Sequence, residues 1–268
     1  MKQLKGFENS KFPSHICKLE KTFYGLKQAP RAWFSKLKLA LLQWGFTNSQ
    51  FDVSLFYRSA GSKVILLLVY VDDILITGND LILIQQVIKD LNSCFALKTL
   101  GSVNYFLGFE AYRNDDGLFL TQTKYTTDLL AKTNMLTNNP CSTPIAAGTR
   151  LSFVIGTLQY LIHTRLDISF IVNERIQFLV APTVVHWQTC KRILRYLKGI
   201  TTYGIVFKPS YSLHFKVFCD ADWASSIDDR KSTTGCCVFL GGNLITWSSK
   251  KQTVVARSNT EADYRSLS

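Results

Sequence analysis

The sequence has no CxxC pair, no GxxxxGK[ST] phosphate loop and no GxGxxG turn. These absences argue against a zinc ribbon, a P-loop NTPase and a Rossmann dinucleotide site. Long apolar runs are missing too: VILLLVYV at 64–71 is among the longest, far below the roughly 20 residues of a membrane span. The opening MKQLKGFENSKFPSH has no apolar core of the signal-peptide kind. The seven cysteines are odd in number and scattered, with Cys236 and Cys237 adjacent. Such a set reads as reduced, buried thiols of an intracellular protein in a reducing compartment. His214 near Cys219 lacks metal-site spacing, so both read as ordinary core residues. Acids are scarce, 19 against 31 Lys and Arg, for a net charge of +12. A basic chain of this kind suits a polyanionic partner, nucleic acid before an acidic membrane.

What is present is a chain of 268 residues, 47% hydrophobic, enough for one large core or two ordinary ones. The basic excess lies in two blocks. Residues 1–38 carry nine Lys/Arg against two acids, and residues 151–211 carry seven against two. No internal repeat is visible. Pro30 suits a first helical turn, and Phe34, Leu37, Leu41 and Trp44 recur at helical spacing before Gly45. Residues 63–78, KVILLLVYVDDILITG, read as strand, tight turn, strand. Asn79 or Asp80 then caps a helix with the stripe Ile84, Val87, Ile88, Leu91. A second hairpin is expected over 104–123, with Asp116-Gly117 in its turn. TNNPCSTPIAAGTR at 137–150 reads as a linker. Helices are expected over 156–180 and 186–199. The second buries Trp187, Cys190, Leu194 and Leu197 and presents Lys191, Arg192, Arg195 and Lys198, either as a solvated face or as phosphate contacts. From 211 three short strands, with GGN (241–243) as a hairpin turn, precede a helix beginning near SNTEADY.

The stretch LLLVYVDDILITG (66–78) sets Asp72 and Asp73 between two greasy runs. An ionised carboxylate buried without a partner costs several kcal/mol. The pair therefore sits in an exposed turn, where Asp is common, or it holds a cation. Two carboxylates close together suit Mg²⁺, which takes hard oxygen ligands.

The neighbouring motifs choose between these. YVDD at the tip of an apolar hairpin resembles the metal-binding motif of reverse transcriptases. YGLKQAPRAWF (24–34), NYFLGFE (104–110), KRILRYLKG (191–199), DADWA (220–224), DDRKSTTG (228–235), ITWSSKKQ (245–252) and NTEADY (259–264) resemble, in order, segments of copia-type retrotransposon Pol polyproteins. The resemblance covers nearly the whole chain. It implies an α+β fold: a reverse-transcriptase palm-like antiparallel sheet with helices, a helical connection, and an incomplete RNase H-like α/β domain. The corresponding boundaries are 1–136, 137–210 and 211–268. The implied activity is RNA-directed DNA polymerase with Mg²⁺-dependent nucleotidyl transfer by a two-metal site. The implied partners are RNA template, DNA primer, RNA–DNA hybrid and dNTP, with no membrane; pairing with an intact Pol subunit is left open. By the same resemblance Asp72 and Asp73 are polymerase metal ligands. Tyr24, Gly25, Lys27, Gln28, Pro30, Arg31 and Tyr70 contact nucleotide or template, and Tyr105, Phe106, Leu107 and Gly108 contact primer. Asp220 and Glu261 are RNase H metal ligands, with Asp222 on the same strand face as Asp220. Ser258-x-x-Glu261 also fits a capping box, and Asp228 and Asp229 read as a solvated turn.

The match departs from the family in places. The family's polymerase site uses a third aspartate on a strand before YGLKQAPRAWF, whereas only Glu8 and Glu20 are acidic there. MKQLKGF resembles the family's internal MKQPEGF. Thr99 stands where the family has aspartate, Leu166 where it has proline, and LSFVI replaces a longer segment. The later RNase H carboxylates are not in the sequence. The expectation is a truncated copy, inactive alone. The alternatives are a non-catalytic nucleic-acid-binding remnant or an unexpressed relic.

Overall fold

The computed structural model describes residues 3, 5–16, 25–136, 151–177 and 183–267. The chain divides into two compact units on either side of Gly101. The expected linker at 137–150 lies outside the described residues.

The first unit is a helix-backed antiparallel sheet. Its elements are α1 (Ala29–Gln43), β1 (Thr47–Asn48), β2 (Leu55–Ala60), β3 (Lys63–Tyr70), β4 (Asp73–Gly78) and α2 (Leu81–Cys94). Pro30 falls in the first turn of α1, where its missing N–H is not needed. Gly45, at φ 79°, follows the helix end. Asp80 caps α2 by accepting from Leu83 N–H at 2.9 Å and also pairs with Lys63. Asn79 instead ties Ser62 and Val64 together. The strands lie in the order β1-β2-β3-β4. Alternation along β3 buries Ile65, Leu67 and Val69. With Phe56 they pack against Leu37 and Leu41 of α1 and Val87 and Leu91 of α2. The opposite face carries Tyr57, Val64, Leu66 and Tyr70, between 39% and 53% exposed.

The second unit begins with β5 (Tyr105–Phe106), β6 (Phe109–Asn114), β7 (Gly117–Thr121) and α3 (Thr123–Lys132). It continues through α4 (Leu151–Leu161), a 3-10 turn (Leu166–Ile168), α5 (Ser169–Ile176) and α6 (Val184–Gly199). The strand β8 (Gly204–Phe207) then returns to pair with β7, completing a sheet in the order β5-β6-β7-β8. Leu129 and Leu130 of α3, Val154, Ile155, Leu158 and Leu161 of α4, and Trp187, Cys190, Leu194 and Leu197 of α6 form the core. The last part is β9 (Phe215–Asp222), β10 (Thr233–Leu240), β11 (Asn243–Lys251) and α7 (Asn259–Ser266). These strands are ordered β11-β10-β9, so β9 lies at an edge.

Three expectations are corrected. Of the described cysteines only Cys190 is fully buried, Cys94 is exposed, and His214 is exposed rather than in a core, because the sheet edge at β9 leaves one side open. The helix expected over 156–180 is broken: α4 starts earlier and ends at Leu161, and α5 starts at Ser169. The reason lies in two buried polar side chains in the break. Thr164 donates to Gln122 Oε1 at 2.7 Å, and Arg165 grips Asp167 and the Ile200 carbonyl. The turn of the second hairpin is Asp115-Asp116, with Asn114 opposite Gly117. Asn114 Oδ1 accepts from the N–H of Asp116 and of Gly117. Gly117 is required because a Cβ there would strike the Phe207 carbonyl oxygen.

Candidate functional site

The hairpin joining β3 to β4 is as tight as a hairpin can be. Tyr70 pairs with Asp73, leaving only Val71 and Asp72 in the turn. Val71 has φ 50° and is the one turn residue in the left-handed region, a conformation that a β-branched residue rarely adopts. Greasy β3 and β4 are held against α1 and α2, so they present the polar turn to solvent. Asp72 and Asp73 are both exposed. Asp73 and Tyr70, directly paired, share the face of Leu66 and away from the helices. The carboxylates are the right donors for a hard divalent cation. Yet no group of three His, Cys, Asp or Glu able to hold a metal forms among the described residues.

Of the segment expected to contact nucleotide and template, Tyr24 lies outside the described residues. Gly25, at φ 90°, makes the turn before α1, and Lys27, Gln28, Pro30 and Arg31 are exposed around its first turn.

The segment expected to contact primer is a second two-residue hairpin. Phe106 pairs with Phe109 across Leu107 and Gly108, at φ 49° and 78°. Tyr160 of α4 donates its hydroxyl to the Leu107 carbonyl and leaves no slack over Gly108, where a Cβ would sit 3.1 Å from its ring. Glu110 accepts from Thr121 Oγ1 and Thr123 N–H, fixing the hairpin base. Tyr105 is 54% exposed, with Lys124 Nζ 5.5 Å from its ring centre. Sequence reasoning missed Tyr160 because it lies 53 residues from the carbonyl it holds.

On α6, Arg192 and Arg195 are exposed, while Lys191 and Lys198 are half-buried. The ammonium of Lys191 lies 5.8 Å from the Trp187 ring. This face is basic along the exposed side of a helix whose other side is core.

Asp220 and Asp222 are exposed on the edge strand β9. Ala221 between them is buried with Ala262 of α7, so alternation turns both aspartates away from that contact. Asp222 accepts from Thr233 N–H across the ladder. Glu261 is engaged at both oxygens: Oε2 accepts from Arg257 N–H at 2.8 Å, and Oε1 from Arg265. Ser258 Oγ accepts from Glu261 N–H at 3.2 Å. The helix start is thus capped, with the glutamate reaching one residue beyond the usual capping-box donor. The Arg257 N–H, and then the Arg265 guanidinium, hold the Glu261 carboxyl below its ordinary value. A cation here would compete with both partners. Asp229, read above as solvated, is ion-paired with Lys251 at 2.8 Å and Lys231 at 3.7 Å. Hydrogen bonds from Lys251, then Ser226, bring its carboxyl down to about 2.

The first unit is thus mixed helix and antiparallel sheet, with paired aspartates at a hairpin tip. A family model described as reverse transcriptase (RNA-dependent DNA polymerase) matches residues 1–147. The whole chain is 47% identical, over 281 residues, to the retrovirus-related Pol polyprotein from transposon RE2 of Arabidopsis thaliana, and at the same level to that from transposon RE1. It spans 19% of the length of each. It is also 43% identical over 214 residues to an uncharacterized mitochondrial protein of the same plant, matching 75% of this chain and 89% of that one. No solved structure matches. The chain belongs to the reverse transcriptase family, among the Pol polyproteins of copia-type retrotransposons. Divalent-metal use and nucleic-acid substrates go with that family in general terms.

Proposed function

We propose that this chain is the catalytic-hairpin and template–primer-holding part of an RNA-directed DNA polymerase, with Asp72 and Asp73 as Mg²⁺ ligands. The observation that carries the reading is the YVDD turn, set at the tip of a helix-backed hairpin in a member of the reverse transcriptase family. Mg²⁺ held there would help deprotonate a primer 3′-hydroxyl and offset charge on the transferred phosphate. The chain's own residues bind and orient. Gly25, Lys27, Gln28, Pro30, Arg31 and Tyr70, together with Tyr24 outside the described residues, contact template and incoming dNTP. Tyr105, Phe106, Leu107 and Gly108 seat the primer on a turn braced by Tyr160. Lys191, Arg192, Arg195 and Lys198 hold phosphates of the RNA–DNA hybrid. The sheet β9–β11 with α7 is the start of an RNase H-like domain, with Asp220 and Glu261 as its metal-binding carboxylates.

Two carboxylates hold a cation incompletely. If the loss is about 5 kcal/mol, extension by this chain alone falls roughly 10³- to 10⁴-fold. The test is iron-directed cleavage: Fe²⁺ in place of Mg²⁺, with ascorbate and peroxide, on the chain bound to primed poly(rA). A backbone cut near residues 72–73, competed by Mg²⁺ and lost in Asp72→Asn and Asp73→Asn, is expected. Hybrid binding without any such cut would favour the second reading, a binder that uses only the basic surface. That reading has its own support in the exposed cationic side of α6.

A further inference from the structure

Strand β9, at an edge of the last sheet among the described residues, and its neighbour β10 bring two thiols together. Cys219 of β9 stands directly opposite Cys236 of β10 in the antiparallel register, and its thiol hydrogen bonds to Cys236 Sγ at 2.7 Å. Directly opposed residues in such a ladder have Cα atoms about 4.5–5.5 Å apart, and a disulfide spans about 4.4–6.8 Å. Closing a bond therefore requires no strand movement. Both side chains are half-buried, so a small reagent can reach them. Cys237 projects from the other face of the strand and stands opposite Phe218 and Trp247. Among the other described cysteines, Cys190 is buried and Cys94 lies in the first unit.

We propose that Cys219 and Cys236 form a reversible dithiol–disulfide site that reacts with small-molecule disulfides of the glutathione class and, once closed, staples β9 to β10. One thiolate attacks a sulfur of the small disulfide, breaking its S–S bond, forming a mixed disulfide and releasing one small thiol. The second thiolate attacks the protein sulfur of that mixed disulfide, forming the Cys219–Cys236 bond and releasing the second small thiol. Two protein thiols are oxidised, one small disulfide is reduced, and the two protons leave on the released thiols. In a reducing pool the site stays open. Oxidation fixes an edge strand that has one ladder partner among the described residues and that carries Asp220 and Asp222. The proposal stands apart from the polymerase reading and uses none of the side chains assigned there.

The experiment equilibrates the full chain, natively folded, in mixtures of oxidised and reduced glutathione, blocks remaining thiols, digests without reduction and maps the peptides by mass. The expected product is a peptide pair joined through Cys219 and Cys236, lighter by two hydrogen atoms and separated by dithiothreitol. It persists in Cys237→Ser and is absent in Cys219→Ser. Amide exchange along β9 slows in the closed form. Stable glutathione adducts without closure, a Cys236–Cys237 link, scrambled pairs or unreacted thiols would each overturn the proposal. The map of the unmodified sequence decides this even where a variant fails to fold.

Discussion

Val71 and Glu261 show what single residues do at the two acidic sites. Val71 adopts φ 50° in a two-residue turn, at a cost of about 1–2 kcal/mol for a non-glycine residue. Val71→Gly is expected to stabilise the first unit by up to about 1 kcal/mol, after the added freedom of glycine in the unfolded chain. Urea unfolding followed by the fluorescence of Trp33 and Trp44 reads this, and a lower midpoint would mean that Val71 packs usefully. Glu261 has its folded value depressed by the Arg257 N–H and Arg265. A depressed acid stabilises the fold fully above its unfolded value, near 4.5, and that contribution disappears as pH falls through the lower folded value. The protection factors of the α7 amides, corrected for intrinsic exchange, should therefore fall on acidification below about 4.5, and Glu261→Gln should flatten that response.

Two elements depend on close fits that no local pattern announces. The break between α4 and α5 is held by Arg165, 2% exposed, which joins Asp167 and the Ile200 carbonyl and lies 5.9 Å from the rings of Tyr196 and Tyr203. Removing it leaves the Ile200 carbonyl without this donor and takes the guanidinium from Asp167, which keeps its bond to Tyr196. Arg165→Ala is expected to cost about 3 kcal/mol, with Arg165→Lys restoring only part because an ammonium lacks the fork. Denaturant unfolding of the second unit checks both. The return of β8 onto β7 needs Gly204, where a Cβ would collide with the Leu120 carbonyl. Gly204→Ala is expected to destabilise by roughly 1–3 kcal/mol and to expose the amides of β8 to exchange.

At the scale of the whole molecule, charge and open surface set behaviour. With +12 overall and α6 offering four cations, hybrid affinity should fall roughly 100-fold between 50 and 200 mM salt if four phosphates are contacted. Replacing Arg192 and Arg195 together by Gln should lower the slope of log affinity against log salt by about 2, read by fluorescence anisotropy at several salt concentrations. The sheet face bearing Tyr57, Val64, Leu66 and Tyr70 is open, and β4 ends the sheet. Both features favour self-association. Light scattering should rise with protein concentration, and a monodisperse monomer would show that this face is protected.

The sequence by itself determined what depends on neighbours a few residues apart. The acidic hairpin, the Ser258 cap, the buried stripe of α6 and the GGN turn all follow from spacing and turn chemistry, the cap of α2 is narrowed to Asn79 or Asp80, and the ordered motifs carried the family. Tertiary structure alone decided what depends on distant partners. It broke the helix expected over 156–180, because Thr164 and Arg165 satisfy their polar groups at Gln122 and Ile200 rather than in helical backbone. It placed β8 beside β7, seated Tyr160 under the Leu107 turn and gave Asp229 to Lys251. A short-range pattern fixes which way a side chain faces, whereas the group that meets it is set by the path of chain tens of residues away.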